Sequence, residues 1–302
     1  MRVLVTGSEG SIGTKLVAHL RSLGHSVMGA DIVHRYADDY IQTDVSSLQD
    51  LIYVAQTFKP EVVYHMAAAV SRITCEESPH LAVATNVLGT HNVVQMCRNI
   101  NARLINFSTS EVYGNISGIL SEEVVDLKPN NRYGVTMLAA EKLVEYDAME
   151  HGLRAVTIRP CMIYDEDEPF GVHRSAIIRF AEALERGNRI TVHKMSKRSW
   201  LHMDDMLRAL ESLLLVDIGY QVINIGHPEV LEMMAVALRM CDIGRHNINL
   251  VTLADLPKRM TLSKIPDLRK QKALLNFEPK ISLHDGMQRL VNRVRERVAN
   301  GE

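Results

Sequence analysis

Apolar residues along the chain form short runs that alternate with longer stretches of helical periodicity. The first run, at residues 2–5, leads through a glycine-containing turn into Leu16, Val17, Leu20 and Leu23, which share one helical face. Runs of this kind predict strands at residues 2–5, 26–30, 40–43, 62–65, 104–107, 155–158 and 222–225. A further short strand is predicted at residues 190–192.

Amphipathic segments between these runs predict helices. They cover residues 48–58, about 82–99, 133–150, 175–186 and 203–216. Strands that alternate with helices at this spacing are typical of a parallel, doubly wound sheet with right-handed crossovers. The expected fold class is therefore α/β, and the regularity falls after Pro160, where a second, smaller lobe is expected.

Composition narrows the class of protein. The chain has 302 residues, of which 46% are apolar and 23% charged, as in ordinary globular proteins. The formal net charge of −2 gives no general attraction to nucleic acid or to an anionic membrane. The four cysteines are far apart and indicate neither a disulfide framework nor a zinc site, and no targeting or membrane-spanning segment is apparent. A cytoplasmic protein without metal is expected.

The turn after the first strand contains Gly7, Gly10 and Gly13 in a G-x-x-G-x-x-G arrangement. Glycines there allow a tight turn and close approach of the backbone to a pyrophosphate, which the N–H groups of the following helix can bind. The second strand ends in Asp31, where a carboxylate can accept hydrogen bonds from both ribose hydroxyls of adenosine and repel a 2′-phosphate. NAD is the expected cofactor, and nearby Arg35 leaves NADP as the alternative.

A second cluster of polar residues follows the fifth predicted strand. Ser108, Thr109, Ser110 and Glu111 come directly after it, at the edge of the sheet where open α/β folds bind ligands. Tyr133 begins a predicted helix, and Met137 is its next neighbour on the same face. A phenol beside hydroxyls and a carboxylate is a candidate acid and base.

The motifs, taken in order, resemble one family. They are TGSEGSIG, Asp31, Asp44, HMAAAV, NVLGT, STSEVYG, YGVTM, RPCMIY, KRSWLHMDD and PDLRKQKALLNFEPKISLHDGM. This set resembles the extended short-chain dehydrogenases/reductases, specifically their nucleotide-sugar epimerases and dehydratases, from Met1 to about Leu290. The resemblance implies a Rossmann domain for NAD at residues 1–163, to which 200–226 return, and a lobe for the nucleoside diphosphate sugar at 164–199 and 227–302.

The resemblance also implies roles for individual residues. Tyr133 would take the proton of the sugar 4-hydroxyl, and Thr109 would hydrogen-bond the same oxygen. Catalytic roles are implied at Thr109, Ser110, Glu111, Tyr133 and Met137. Cofactor contacts are implied at Gly7, Gly10, Ser11, Ile12, Gly13, Asp31, Asp44, Val45, Met66, Ala67, Ala68, Asn86, Tyr133 and Pro160. Substrate contacts are implied at Ser71, Arg72, Thr109, Glu111, Met162, Arg179, Thr191, Arg198 and Arg259.

Several of these residues have ordinary structural alternatives. Asp44 could merely cap a helix. The resemblance implies that the backbone of His65 lines the cofactor, but His65 could instead be a histidine with satisfied hydrogen bonds at the end of the fourth strand. Cys161 could enter the substrate pocket or be a buried structural thiol. Arg198, implied at the diphosphate, could be a surface arginine.

Three departures from the family pattern bear on the reaction. Met137 stands where the family has the lysine of Tyr-x-x-x-Lys, so Tyr133 should have a raised pKa; Lys142 is on another helical face and cannot replace that lysine. Ser110 stands where the 4,6-dehydratases have the aspartic acid that protonates the leaving hydroxyl, whereas Glu111 keeps their C5 base. Met162 replaces an asparagine near the diphosphate.

With these departures the chain resembles a Tyr-x-x-x-Met type of dehydratase, which acts on UDP-N-acetylglucosamine and forms a 5,6-ene sugar. The hypothesis is oxidation at C4, loss of water across C5–C6, and return of hydride to C4. The alternatives are a 4,6-dehydratase, a C4-epimerase, or a non-catalytic NAD-binding regulator. A homodimer is expected through the helices at 82–99 and 133–150, although packing within one chain would equally explain apolar Leu138, Val144 and Met149.

Overall fold

The structure is a computed structural model that describes residues 1–116, 118–171, 174–256 and 261–302. The strands in these ranges are β1 (Arg2–Thr6), β2 (Ser26–Asp31), β3 (Tyr40–Gln42), β4 (Val62–His65), β5 (Arg103–Phe107), β6 (Ile119–Leu120), β7 (Ala155–Pro160), β8 (Met162–Tyr164), β9 (Ile190–His193), β10 (Lys197–His202), β11 (Gln221–Ile225), β12 (Val230–Glu232), β13 (Val251–Ala254) and β14 (Ser263–Pro266). The eight predicted strands are all present, with ends within two residues of those expected.

A seven-stranded parallel sheet forms the centre of the molecule. Its order is β11-β7-β5-β4-β1-β2-β3, so the chain leaves β1 to one side for β2 and β3 and crosses to the other side for β4. Val3 pairs with Val27 on one side and with Val62 on the other. This reversal of direction beside β1 is the position at which doubly wound folds bind dinucleotides. The predicted α/β fold class is confirmed.

The helices follow the predicted alternation. They are α1 (Ser11–Ser22), α2 (Leu48–Phe58), α3 (Arg72–Glu77), α4 (Pro79–Ala82), α5 (Thr90–Ile100), α6 (Arg132–His151), α7 (Ala176–Glu185), α8 (Met203–Leu215), α9 (Met233–Gly244), α10 (Arg269–Leu275) and α11 (Leu283–Ala299). A π-helical segment, Val83–Gly89, joins α4 to α5, so the predicted helix at 82–99 begins with a wider turn. Such turns often occur at functional sites.

Alternating side chains of the sheet build two separate layers of core. Val3 and Val5 point to a layer shared with α1 and α8, whereas Leu4 points to a layer shared with α2 and α5. This alternation follows from the two-residue period of a strand, and burial of both faces explains why the strands are continuously apolar. No helix of the described residues is long and apolar enough to span a bilayer.

A smaller lobe has its own core and a five-stranded sheet. The sheet order is β12-β10-β14-β6, and β8 pairs with β10. Its core joins Trp200 to apolar residues of α7, α9 and α11. Leu275 and Phe277, however, pack in the core of the large sheet. We propose that residues 1–163 and 200–226 form the domain of the large sheet and that residues 164–199 and 227–302 form the lobe. The end of α10 is the exception, because it packs with the large sheet.

Candidate active site

The glycine turn is closely packed against the end of β4. Gly7 has a φ of 71°, which L side chains rarely adopt, and a Cβ there would lie 2.7 Å from the backbone nitrogen of Ala67. A Cβ on Gly13 would lie 2.1 Å from the carbonyl oxygen of Gly7. The turn thus needs glycine at both positions and leaves its backbone open to a ligand.

A cavity of about 520 Å³, here called the turn cavity, opens above this turn. It is lined by Gly7, Gly10, Ser11, Ile12, Gly13, Asp31, Asp44, Val45, Met66, Ala67, Ala68, Thr109, Tyr133, Met137 and Pro160, among others. Of the residues implied in cofactor binding, Asn86 is buried and is not among the residues that line the cavity. The volume of the turn cavity is in the usual range for sites of cofactors and small molecules.

Acidic residues mark the adenosine end expected in this cavity. The carboxylate of Asp31 accepts hydrogen bonds from the backbone nitrogens of Glu9 and Val33, at 3.0 and 3.3 Å, which fix its position on the cavity wall. Arg35 forms an ion pair of 2.9 Å with Glu9. The guanidinium that suggested the NADP alternative is thus already paired with a carboxylate.

Asp44 does not cap α2. Ser47 is the N-cap, because its side chain accepts from the backbone nitrogen of Asp50. Asp44 instead accepts from the backbone nitrogen and hydroxyl of Ser46, at 2.8 and 2.7 Å. Its carboxylate therefore stabilises a turn on the wall of the turn cavity.

His65 is a structural histidine, buried and hydrogen-bonded at both ring nitrogens. Its Nδ1 lies 2.8 Å from the hydroxyl of Thr6, and its Nε2 lies 3.0 Å from that of Thr90. The Thr90 hydroxyl donates to the carbonyl of Asn86, so it accepts from Nε2–H, and Nδ1 accepts from Thr6. Burial lowers the pKa of His65 to about 4, which keeps this neutral form.

The side chain of Asn86 holds the segment after β4. Its Oδ1 accepts from the nitrogen of Ala69 at 2.7 Å, and its Nδ2 donates to the carbonyl of the same residue at 3.2 Å. Nδ2 also lies 3.0 Å from the hydroxyl of Thr136 on α6. The π-helical segment thereby fixes the backbone of Ala69, which directly follows the lining residues 66–68 of the turn cavity.

The side chain of Glu111 is 14% exposed and lies between two partners. Its Oε2 accepts from the Nδ2 of Asn131 at 2.8 Å, and its Oε1 forms a short ion pair with the ammonium of Lys264. Burial alone would raise the pKa of Glu111, but the charge and hydrogen bond of Lys264, with smaller effects of Asn131 and Arg72, lower it to about 2. Glu111 is therefore ionised at neutral pH.

Tyr133 is held beside Thr109 at the start of α6. Burial raises the pKa of its phenol far above the ordinary range; the hydrogen bond with Thr109 lowers it, and the charge of Glu111 raises it further. Met137 is buried on the next turn and supplies no charge. Lys142 is exposed and forms a 2.7 Å ion pair with Glu145. The raised pKa expected from the sequence thus has burial as its largest cause.

A second cavity of about 450 Å³, here called the lobe cavity, lies between the large sheet and the lobe. Among its lining residues are Ser71, Arg72, Thr109, Ser110, Glu111, Tyr133, Met162, Arg179, Thr191, Arg198 and Lys264. The substrate-binding residues expected from the sequence therefore converge here, except that Arg259 falls outside the described residues.

Two of these residues have unexpected conformations. The guanidinium of Arg198 is buried and donates to the carbonyls of Lys197, Thr261 and Leu262, at distances between 2.6 and 2.9 Å. It is therefore not the surface arginine considered as the alternative. Ser71 has a φ of 86°, which is uncommon for a residue with a Cβ and is a strain often found where a ligand binds.

The two cavities meet at four residues. Thr109, Tyr133, Pro160 and Cys161 line both of them. Cys161 is both buried and part of the wall, and burial raises the pKa of its thiol to about 12. A dinucleotide in the turn cavity and a second ligand in the lobe cavity would therefore touch across the phenol of Tyr133.

Lys264 was missed by the sequence analysis. It lies on β14, where Arg198 of β10 is its pairing neighbour, and its side chain is 5% exposed. The surrounding sequence, TLSKIPD, carries no motif that would have identified it. Among the described residues, no group of three or more histidines, cysteines or carboxylates could hold a metal ion.

A doubly wound sheet, a glycine turn and an adjoining cavity with tyrosine and carboxylate define a dinucleotide-dependent enzyme. The model of the NAD dependent epimerase/dehydratase family matches residues 3–226. The chain belongs to this family, whose cofactor is NAD and whose members act on nucleotide sugars.

Relatives of the chain are similar along nearly all of its length. A UDP-glucuronate 4-epimerase from Thermodesulfobacterium geofontis is 26% identical, with 98% of this chain and 96% of the relative covered. UDP-glucuronic acid decarboxylase 6 from Arabidopsis thaliana is 28% identical, with 95% and 87% covered. The solved structure of MoeE5 in complex with UDP-glucuronic acid and NAD has a TM-score of 0.88 and 26% identity, with 98% of this chain and 100% of that chain covered.

The residues of the turn cavity are suited to NAD. The glycine turn presents backbone that a Cβ would obstruct, beside the N-terminus of α1, and Asp31 is present at the end of β2. The hydroxyl of Ser108, which also lines this cavity, has no hydrogen-bond partner in the described part of the chain. These groups match the pyrophosphate, a ribose and a polar ring substituent of a dinucleotide.

Proposed function

We propose that the chain is an NAD-dependent dehydratase of a UDP-hexosamine, with UDP-N-acetylglucosamine as the substrate. The reaction would remove water across C5 and C6 of the sugar and leave a 5,6-ene with its 4-hydroxyl restored. The Tyr-x-x-x-Met pattern of Tyr133 and Met137 supports this, because it resembles the UDP-N-acetylglucosamine 5,6-dehydratase of tunicamycin biosynthesis.

One observation carries the proposal. Glu111 lines the lobe cavity together with Tyr133 and Thr109, and these last two also line the turn cavity. A base for C5 would thus be available beside the groups that serve the 4-hydroxyl. Without a carboxylate in this position the site would resemble that of a simple C4-epimerase.

Residues of both cavities would hold the ligands. The N–H groups at the glycine turn would bind the pyrophosphate of NAD, and Asp31 would bind the adenosine ribose. When bound, NAD accepts a hydride from C4 of the sugar and returns it within the same turnover. In the lobe cavity, Arg198 would bind the diphosphate together with Arg72 and Arg179, and Thr191 would contact the base.

Side chains that line the lobe cavity would carry out the proton transfers. In its phenolate form Tyr133 would take the proton of the 4-hydroxyl and become a neutral phenol, and Thr109 would hydrogen-bond the same oxygen. Because burial raises the pKa of this phenol, the phenolate depends on positive charge nearby, which NAD⁺ would supply when bound. The resulting 4-ketone acidifies the hydrogen on C5, so the carboxylate of Glu111 can remove it without a metal ion. Tyr133 returns its proton to O4 when the ketone is reduced again.

A second candidate is supported by the charges around Glu111. The cations of Lys264 and Arg72 act on this carboxylate, and both residues line the lobe cavity. A substrate with a carboxylate at C6 could pair with them, and relatives of the chain are enzymes of UDP-glucuronate. The second candidate is therefore C4 epimerisation of a UDP-uronic acid.

The test is incubation of the purified protein and NAD with three sugar nucleotides. UDP-N-acetylglucosamine, UDP-glucose and UDP-glucuronic acid are offered separately, and products are identified by mass spectrometry and NMR. A product lighter by one water with the signals of a vinyl ether supports the 5,6-dehydratase. A 6-methyl 4-ketone would identify a 4,6-dehydratase, a C4 epimer the second candidate, and lack of any turnover a non-catalytic binding protein.

We also propose a homodimer through α5 and α6. Val135, Tyr146 and Met149 lie on one face of α6 and are 52%, 57% and 71% exposed. Val144, by contrast, packs inside its own chain, and Leu138 is partly buried there, so these two do not contribute to the argument. Light scattering should give twice the mass of one chain, and a Met149→Lys variant should give a monomer.

A further inference from the structure

The ammonium of Lys264 is in an unusual environment for a lysine. Its side chain is 5% exposed and forms a short ion pair with Oε1 of Glu111. Its Nζ is also 3.8 Å from the sulfur of Met162, and Arg198 repels it electrostatically. Lysine is rarely buried to this extent, because its charge must be removed from water.

The pair lies on the wall of the lobe cavity. Lys264 and Glu111 both line it, together with Tyr133 and Thr109, so both are accessible to a ligand there. Lys264 comes from the lobe, whereas Glu111 comes from the turn after β5, so the pair closes the cavity across its two sides. An ion pair on the surface would also have joined the lobe to the large sheet, without the cost of removing a lysine from water.

The proposed dehydration lacks a proton donor for its leaving group. Loss of water from C5 and C6 needs a base at C5 and an acid at the 6-hydroxyl. The base is Glu111, but Ser110 occupies the position where related 4,6-dehydratases have their acid. A serine hydroxyl is too weak an acid for this step.

We propose that Lys264 is the general acid that protonates the departing 6-hydroxyl, an inference that rests on the proposed function. The two groups removed from the sugar are on adjacent carbons, and the two side chains that would serve them are hydrogen-bonded to each other. Acid and base must each come within about 3 Å of the atom they serve. A paired carboxylate and ammonium meets this requirement for adjacent carbons.

The step balances in atoms and electrons. The C5–H bond breaks and its proton goes to the carboxylate of Glu111, while the electron pair forms the C5–C6 double bond. The C6–O6 bond breaks, and O6 leaves as water after it takes a proton from the ammonium of Lys264. Direct transfer of a proton from the Glu111 carboxyl to the Lys264 amine then restores both residues without outside help.

Burial supports this role. It lowers the pKa of Lys264 from the ordinary value of a lysine, and the charge of Glu111 partly opposes that effect. An ammonium with a lowered pKa is a stronger acid than a lysine in water. Once Glu111 has taken a proton and lost its charge, the opposing effect disappears and Lys264 becomes still more acidic.

The test separates removal of the C5 proton from loss of water. UDP-N-acetylglucosamine is incubated in heavy water with NAD and either the wild type or the Lys264→Arg variant. Arginine preserves the charge beside Glu111 but gives up a proton far less readily. We expect the variant to incorporate deuterium at C5 at a rate near that of the wild type and to lose water about 100-fold more slowly.

A second variant guards against poor folding of the first. Lys264→Ala should be inactive in loss of water and should recover it when methylamine is added, with larger amines less effective. Lys270→Arg is the matched control, since Lys270 forms a 2.8 Å ion pair with Glu123 in the same part of the chain. Its rates of exchange and water loss should both equal those of the wild type.

The outcomes distinguish this inference from the proposed function. A wild type that dehydrates the substrate and a Lys264→Arg variant that does so equally fast would overturn the inference and leave the function intact. Equal loss of exchange and dehydration in both Lys264 variants, without rescue by amine, would assign Lys264 a structural role. A wild type that neither exchanges C5 nor loses water would overturn both proposals.

Discussion

The side chain of Asn131 joins Glu111 to the start of the helix that carries Tyr133. Its Nδ2 donates to Oε2 of Glu111 at 2.8 Å, while its Oδ1 accepts from the backbone nitrogen of Gly134 at 2.9 Å. The second bond is the N-cap of α6. One amide therefore sets the position of the candidate base relative to the candidate phenol, which are otherwise on separate elements.

Replacement of Asn131 by alanine should affect both stability and activity. Loss of an N-cap costs about 1 kcal/mol of the free energy of unfolding. Loss of the hydrogen bond to Glu111 should also lower kcat about tenfold or more, because a displaced carboxylate no longer meets the C5 proton. Urea denaturation and steady-state kinetics measure the two effects.

Ser282→Ala is the matched control for this variant. Ser282 caps α11, remote from both cavities, by accepting from the nitrogen of Asp285 at 3.1 Å. Its loss should cost a similar free energy of unfolding and leave kcat unchanged. If both variants lowered kcat equally, the bond between Asn131 and Glu111 would have no special part in the reaction.

Most of the large sheet could be predicted because its signals are local. Strands such as Val62–His65 are short apolar runs, and the helix at Leu48–Phe58 begins at a serine cap and ends before Pro60. The glycine turn likewise depends on neighbours within a few residues. These contacts join residues that are close together in the sequence, so their positions can be predicted from it.

The pair of Glu111 and Lys264 could not be predicted in this way. The two residues are 153 positions apart, and they meet because β14 enters the lobe sheet beside β10 and β6. Nothing in the residues around Lys264 indicates burial of its charge. The same holds for Asn131, whose cap is local but whose bond to Glu111 depends on how the loop before α6 folds back.

The stability of the ion pair gives a second prediction. Glu111→Gln leaves the ammonium of Lys264 buried without its counter-charge, which should lower the free energy of unfolding by about 3–5 kcal/mol. Addition of Lys264→Met should restore most of that loss, because a buried pair replaced on both sides costs little. Urea denaturation at neutral pH measures all three proteins. A double variant no more stable than Glu111→Gln alone would contradict the expectation.

The same pair predicts a dependence of stability on pH. Folding lowers the pKa of Glu111 from 4.5 to about 2, so the stabilisation is fully present above pH 4.5 and is lost as the pH falls toward 2. Protonated Glu111 is similar to glutamine, so the difference in unfolding free energy between wild type and Glu111→Gln should shrink between pH 5 and pH 3. A difference that stayed constant over this range would contradict the lowered pKa.

Met137→Lys should alter the titration of Tyr133. An ammonium on the next helical turn stabilises the phenolate and lowers the pKa of the phenol, which burial now raises. The rate of C4 oxidation, followed by the absorbance of reduced cofactor in a single turnover, should therefore reach its maximum at a lower pH. Met137→Leu is the control and should leave the profile unchanged. Loss of NAD binding in Met137→Lys alone would instead indicate that the turn cavity had been disrupted by the new charge.

Asp31→Ala should weaken the binding of NAD and reduce the preference of the protein for NAD over NADP. The carboxylate is fixed on the cavity wall by the nitrogens of Glu9 and Val33, in a position to accept from the adenosine ribose. A hydrogen bond to a charged group contributes about 1.5–3 kcal/mol, so the Kd for NAD should rise roughly tenfold or more. The Kd for NADP should fall, because repulsion of its 2′-phosphate by the carboxylate is removed. Titration calorimetry with both dinucleotides measures these changes, with Asp38→Ala on the exposed loop before β3 as the control. An unchanged ratio of the two constants in Asp31→Ala would mean that another residue selects the cofactor.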